Sequence, residues 1–199
     1  MKNTEGFSLV EMMIVIGLIT LISLFVLPNL TSYFKVSLNS AAREIASIIK
    51  EAYNSTVITG RVHRIVYDLK ENKYWVEGGP ANALMETKES REREERRKRY
   101  AKSSDEQPTS QFSLASQITK KKLALPRGVK FEDLITQQSP DPIKEGLAYT
   151  HFFPHGLTEK TLIHLQDESN HHVSLGVSPL VGRTDLFERY VDAKEAFGH

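Results

Sequence analysis

An apolar run close to the N-terminus constrains this chain more than any other feature. Nearly every residue from 12 to 27 is apolar, and residues 7–10 extend the run. Its length approaches the roughly 20 residues that a bilayer-spanning helix needs. One carboxylate, Glu11, lies near the start, although a charge at the bilayer centre costs about 2.5–3.5 kcal/mol. Because no small-residue cleavage site follows the run, a membrane helix is expected rather than an ordinary secretory signal.

Residues 6–11 read GFSLVE. This stretch resembles the processing site of type IV prepilins and of the pseudopilins of type II secretion. The resemblance implies cleavage between Gly6 and Phe7 by a prepilin peptidase, N-methylation of Phe7, and pairing of Glu11 with the Phe7 amine of a neighbouring subunit. A buried carboxylate is tolerated when a cation pairs with it. The alternative is a plain signal-anchor helix in which Glu11 is incidental.

Composition restricts the rest of the chain. The 199 residues carry a formal net charge of +1 and no cysteine. The length suggests one globular domain appended to a helix. The absence of cysteine excludes disulfides, thiolate zinc sites and cysteine nucleophiles, and the balanced charge gives no overall attraction to nucleic acid. After Leu27 no second segment is long and apolar enough to span a membrane, which predicts a single-pass protein.

The helix is expected to continue beyond the membrane, with a kink at Pro28 because proline removes one backbone donor. Pilin-like helices resemble this arrangement. Apolar residues then recur at helical spacing along one face: Phe34, Leu38, Ala41, Ile45, Ile48 and Ala52. We predict one helix over about residues 7–54, with a transmembrane half at 7–30 and an amphipathic half that ends near 55.

Residues 56–199 are predicted to form a β-rich domain. Residues 61–69 and 74–76 indicate a β-hairpin. Further strands are expected at about 123–125, 129–132, 146–153, 161–166 and 172–177. Residues 187–197 suggest a short helix or an ordered tail. The fold class is therefore α+β, a long N-terminal helix packed on an antiparallel sheet domain, which is a pilin-like architecture.

A charged stretch at about residues 85–108 interrupts the strand pattern. Glutamates precede arginines and lysines by four residues at several positions, a spacing that supports an exposed helix. We predict a solvated helical or disordered insertion. The alternative is a basic patch that contacts anionic lipid or nucleic acid, although the glutamates weaken its positive field.

A second stretch, residues 152–157 (FFPHGL) followed by TLIHL at 161–165, resembles the C-terminal part of GspH/FimT-type minor pseudopilins. There such a segment opens a hairpin. The resemblance places Pro154 and Gly156 in the turn, because proline fixes φ and glycine permits positive φ.

Six of the seven histidines follow residue 150, but their spacing does not suggest the three or four converging ligands of a zinc site. Pro154 separates His151 from His155, and alternation would point His171 and His172 apart. No nucleophile elbow or phosphate loop is present. We therefore predict no metal, no cofactor and no enzymatic activity.

A basic cluster precedes and enters the predicted strands of the C-terminal half: Lys120, Lys121, Lys122, Arg127 and Lys130. Some FimT-like minor pilins bind DNA through basic C-terminal regions, and clustered lysines suffice for phosphate contacts. The cluster lacks the interleaved aromatic residues that grip single strands. Protection of a strand edge by lysines is the simpler interpretation.

The two resemblances together imply a minor pseudopilin at the tip or priming position of a type II secretion pseudopilus. The expected partners are the prepilin peptidase, other pseudopilins, the inner membrane and its assembly platform. The N-terminus would be cytoplasmic and the domain periplasmic, with residues 1–6 removed as a leader. The alternatives are a minor type IV pilin for pilus assembly or DNA uptake, and an anchored domain that never polymerises.

Overall fold

The computed structural model describes residues 8–81, 111–180 and 182–198, without the side chains of residues 24–35. The first element is helix α1, Leu9–Thr59. It ends at Gly60, whose left-handed φ of 66° lets its N–H bond the carbonyl of Thr56 at 3.0 Å. Glycine adopts this conformation without a Cβ penalty, which makes it the usual residue at a helix C-terminus. The predicted helix is confirmed, although it begins two residues later and ends five residues later than expected.

The C-terminal half of α1 is the spine of the domain. It packs against strands of two separate antiparallel sheets. Leu38, Ala41, Ile45 and Ala52, all from the predicted apolar face, are buried to 1% exposure or less. A stripe of this kind forms a core when sheets cover it. The fold class predicted from the sequence, a helix packed on an antiparallel α+β domain, is confirmed.

Ten strands are described, and they are, in chain order, β1 (Val62–Asp68), β2 (Lys73–Gly79), β3 (Ser113–Leu114), β4 (Leu123–Ala124), β5 (Val129–Thr136), β6 (Ser139–Ile143), β7 (Leu147–Phe152), β8 (Thr161–Asp167), β9 (His172–Val177) and β10 (Thr184–Phe187). A short helix, α2 (Ala193–Phe197), follows. The first sheet has the order β3-β2-β1-β7, with β4 also paired to β2. The second has the order β10-β9-β8-β5-β6.

The predicted hairpin at residues 61–76 is present as β1 and β2, with Ile65 opposite Val76 in the register. Three strands were not predicted. β6 contains Pro140 and Pro142 and lies at a sheet edge, where a missing donor is tolerated. β3 is only two residues long, and β10 consists of half-buried residues without alternation. The charged insertion predicted at 85–108 lies outside the described residues.

Candidate assembly site

The N-terminal part of α1 exposes apolar side chains. Ser8 is extended, with φ −70° and ψ 144°, and its carbonyl accepts the first helical bond from Met12 at 3.2 Å. Glu11 lies in the first turn and is exposed. An acidic residue there complements the positive end of the helix dipole. Gly6 and Phe7, the predicted cleavage residues, lie outside the described residues.

Residues 8–22 are all exposed, so this part of α1 contributes nothing to the domain core. Leu9, Met13 and Ile14 are 77%, 67% and 64% exposed. A helix that is apolar on every side is stable only within an apolar environment or against other helices. Among the described residues, no helix is both long enough and apolar enough to span a membrane. The transmembrane segment stays a prediction.

The backbone of α1 stays helical through Pro28. The side chains on either side of Pro28 lie outside the described residues. The kink predicted at this position therefore stays a prediction.

Pro154 and Gly156 lie in a tight turn after β7. The N–H of Gly156 donates to the carbonyl of Phe153 at 3.0 Å, and Gly156 has a φ of +79°. Phe152 and Thr158 form an isolated antiparallel bridge across the turn. The pairing ends there, because β7 belongs to the first sheet and β8 to the second. The turn therefore carries the chain from one sheet to the other, and the strand at Thr161 is not the second arm of a hairpin.

The basic residues of the predicted DNA-binding cluster are exposed but divided between the sheets. Lys120, Lys121 and Lys122 precede β4 of the first sheet, whereas Arg127 and Lys130 flank and enter β5 of the second. The Lys122 ammonium lies 4.0 Å from the ring centroid of Trp75, a cation–π contact.

Histidines and carboxylates form pairs that the sequence did not reveal. Each pair joins a ring Nδ1 to one carboxylate oxygen within 2.8 Å. The pairs are His151–Glu159, His164–Asp133, His171–Asp167 and His172–Glu132. The described residues include no group of three or more potential metal ligands. Each of these four histidines is thus paired with one carboxylate.

The His171–Asp167 pair closes the β8–β9 turn. Burial opposes ionisation of Asp167, but the backbone N–H and ring of His171 and the N–H of Ser169 outweigh it. Together they hold the pKa of Asp167 below its ordinary value. The carboxylate therefore stays charged and fixes the turn.

A row of ionisable residues crosses the outer face of the first sheet. Arg64 on β1 lies opposite Glu77 on β2 and His151 on β7. Its guanidinium binds the Glu77 carboxylate at 2.8 Å and lies 4.0 Å and 4.6 Å from the ring centroids of Phe112 and Tyr149. Arg64 is only 4% exposed. The planar guanidinium suits this stacked and paired environment.

A second row crosses the second sheet, where Asp133, His164 and Ser174 are cross-strand neighbours on β5, β8 and β9. The residue types are those of a hydrolase triad. However, the Ser174 hydroxyl donates to the carbonyl of Arg189 at 2.7 Å, and His164 Nε2 faces the carbonyl of Val191 at 2.9 Å. The row therefore shows no hydrogen bond between nucleophile and base, which such a triad requires.

Comparison with known proteins identifies the N-terminal segment. Residues 1–27 match the family model for the prokaryotic N-terminal methylation motif. No curated protein matches the chain. Among solved structures, it is similar to the minor pseudopilin EpsH from the type 2 secretion system of Vibrio cholerae, with 7% identity, a TM-score of 0.43, and coverage of 76% of this chain and 97% of that chain. The chain therefore carries a prokaryotic N-terminal methylation motif, and the motif recognised at residues 6–11 is confirmed.

Proposed function

We propose that this protein is a minor pseudopilin, a structural subunit at the tip or priming position of a type II secretion pseudopilus. The observation that carries the proposal is the methylation motif at residues 1–27 at the head of a helix with two different halves. The first half exposes apolar side chains, and the second half buries one face in the domain. A subunit that assembles through its helix and displays a folded domain needs this division.

In this proposal the prepilin peptidase cleaves between Gly6 and Phe7 and methylates the new N-terminal amine. Glu11 then pairs with the amine of Phe7 on a neighbouring subunit. The exposure of Glu11 in the first turn supports this role, because its carboxylate is accessible to a neighbouring subunit. Inside a bundle of apolar helices the pair would be strongly favoured over either charge alone.

The proposed location follows from the same helix. The chain would lie in the inner membrane as a single-pass protein, with a cytoplasmic N-terminus and a periplasmic domain. Other pseudopilins and the assembly platform would contact it through residues 7–30. No catalytic role is assigned, and the only covalent chemistry is the processing of Gly6 and Phe7 by another enzyme.

N-terminal mass spectrometry of the protein from native membranes tests the proposal. A mature chain of 193 residues (199 − 6) that begins with methylated Phe7 is expected, and Gly6→Ala should abolish the cleavage. Glu11→Gln, as a matched variant, should be processed normally but fail to enter filaments. An intact Met1 in the native protein would instead identify a plain membrane anchor and overturn the assembly function.

A minor type IV pilin with DNA-binding activity is the second candidate. It is favoured by the exposure of Lys120 and Lys121 beside Lys122, which already lies against an aromatic ring. A chain that begins at Thr31 should then bind DNA with an affinity that falls steeply with salt. Alanine at the three lysines should abolish binding, whereas alanine at the exposed Lys70 and Lys144 should not. The absence of any binding at low salt would eliminate this candidate.

A further inference from the structure

The C-terminal strap, defined as residues 189–197, is attached to the second sheet through side-chain contacts. It follows β10 and lies on the face opposite α1. This face is identified by alternation, because His164 lies between Ile163 and Leu165, which face the helix core. Near its other end, the Phe197 ring packs beside Gly176 and the Lys160 ammonium.

Two side chains of the sheet bind the backbone of the strap. The Ser174 hydroxyl donates to the carbonyl of Arg189 at 2.7 Å and accepts the N–H of Val191 at 3.2 Å. His164 Nε2 lies 2.9 Å from the carbonyl of Val191. Both Ser174 and His164 are fully buried, and Val191 is 1% exposed. The strap therefore covers polar groups that would be costly to leave unpaired.

His164 has an acceptor at each ring nitrogen. Nε2 faces the carbonyl of Val191, which can only accept, and Nδ1 lies 2.6 Å from the carboxylate of Asp133. A neutral imidazole has one N–H and one lone pair, so in either tautomer one lone pair would face an acceptor. Only the imidazolium donates in both directions. We propose that His164 is charged in the folded protein and that its second proton locks the C-terminal strap onto the sheet.

Tyr190 is the nearest other group to His164 and Asp133. The ring of Tyr190 stacks on His164 with centroids 3.9 Å apart, and its hydroxyl donates to Asp133 at 3.3 Å. Burial, followed by the negative charge of Asp133, raises the pKa of Tyr190, so it stays a neutral donor.

More distant charges complete this environment. The carboxylates of Glu132 and Asp192 also lie close enough to Tyr190 to act on its charge. His172, 6.1 Å from the Tyr190 ring, is paired with Glu132, and Arg189 is paired with Glu195. His172 and Arg189 thus have carboxylate partners of their own, while Asp133 binds His164 and Tyr190.

The proposal predicts release of the strap at alkaline pH. When His164 loses its second proton, either Asp133 or the carbonyl of Val191 faces a lone pair, and the buried contact becomes repulsive. Asp133→Asn should remove this dependence. The asparagine N–H can donate to Nδ1 of a neutral imidazole, which leaves Nε2–H for Val191, and its oxygen still accepts from Tyr190.

The test uses the full-length chain in detergent micelles. Because the chain has no cysteine, Lys194→Cys provides a single site for a nitroxide on the strap. Lys70→Cys provides a control site in the turn between β1 and β2. Spin-label mobility is recorded from about pH 6 to about pH 10, a range that begins near the ordinary pKa of histidine and extends well above it. Trp75 fluorescence, which comes from the other sheet, reports whether the protein as a whole stays folded.

In the wild-type background, the label at position 194 should change from immobile to mostly mobile as pH rises, while position 70 and Trp75 stay constant. His164→Gln should be mobile at every pH, and Asp133→Asn should be immobile throughout. His155→Gln, which alters an exposed histidine in the turn after β7, should behave like wild type. The proposal is overturned if the wild-type label stays immobile over the whole range, or if Asp133→Asn releases the strap at the wild-type pH.

Discussion

Two arginines show how burial decides what an ion pair contributes to stability. Arg64 is buried between aromatic rings and bound to Glu77, whereas Arg183 binds Asp185 with its side chain 75% exposed. Removing one partner of a buried pair leaves the other charge without compensation, but an exposed pair is screened by water.

Arg64→Met should therefore destabilise the protein by about 3–5 kcal/mol, and the matched Arg183→Met by about 0–1 kcal/mol. Urea denaturation followed by Trp75 fluorescence measures both, since the Trp75 indole donates to the same Glu77 carboxylate at 2.8 Å. Equal costs for the two variants would contradict the buried role of Arg64.

His63 makes the stability of the protein depend on pH. The folded protein favours the neutral form of His63, whereas the proposal for His164 requires the charged form. Burial lowers the pKa of His63. Thr56 Oγ1 donates to the carbonyl of Ala52 at 2.8 Å and is 2.9 Å from His63 Nδ1, so it can accept the single N–H of a neutral ring. The folded protein thus prefers His63 without its second proton.

Because its folded pKa is depressed, His63 destabilises the protein as pH falls below the unfolded value of about 6.5. The free energy of unfolding of the wild type should therefore decrease relative to that of His63→Gln between about pH 7.5 and about pH 5.5. Denaturation curves for both proteins at the two pH values measure this difference. A difference between wild type and variant that does not change with pH would refute the assignment.

At the scale of the elements, two glycines with positive φ differ in their surroundings. Comparing them distinguishes the cost of backbone strain from the cost of a steric clash. Gly60 ends α1 with φ +66°, and a Cβ added at this position would have no atom within 4 Å beyond its chain neighbours and its own helix. Gly182 has φ +57°, and its Cβ would lie 2.7 Å from Cγ of Tyr53 on α1. The loop at Gly182 therefore closes directly over the helix, whereas Gly60 faces open space.

Gly60→Ala should cost about 1 kcal/mol from its left-handed conformation alone. Gly182→Ala should cost about 1–3 kcal/mol more, because Tyr53 must move away from the new methyl group. Thermal unfolding midpoints of the two variants provide the comparison. A larger decrease in the unfolding midpoint for Gly60→Ala than for Gly182→Ala would show that the contact with Tyr53 is unimportant.

The elements also show what the sequence could and could not predict. Periodicity identified α1 and most of the strands, because local patterns reflect burial on one face. The division into two sheets was not visible, since the turn at Pro154 looks the same whether the next strand pairs locally or joins another sheet. The His164–Asp133 pair was missed because 31 residues separate its members, and only the strand register brings them together.

At the scale of the whole molecule, α1 has two independent halves. Residues 8–22 are exposed, and Leu38 is the first buried residue among the side chains of α1 that the structure describes. The sheet domain should therefore fold without the N-terminal part of the helix, and the apolar surface of that part should govern the solubility of the full chain.

A chain that begins at Thr31 should consequently be soluble without detergent and unfold at nearly the same temperature as the full-length protein in micelles. Circular dichroism and Trp75 fluorescence measure both midpoints. Deletion to residue 46 serves as the matched control, because it removes the buried Leu38, Ala41 and Ile45 and should abolish folding. A much lower midpoint for the Thr31 chain would mean that the N-terminal half contributes to the domain after all.

The 51-residue length of α1 also has a mechanical consequence. At 1.5 Å per residue the helix is about 75 Å long, and no loop separates its exposed end from its buried end. A pull on the N-terminus would load the domain along the helix axis, so that the buried side chains of α1 resist it together in shear. Strands at the edges of the sheets would bear little of that tension, and detachment of the domain would require extraction of the helix from its core.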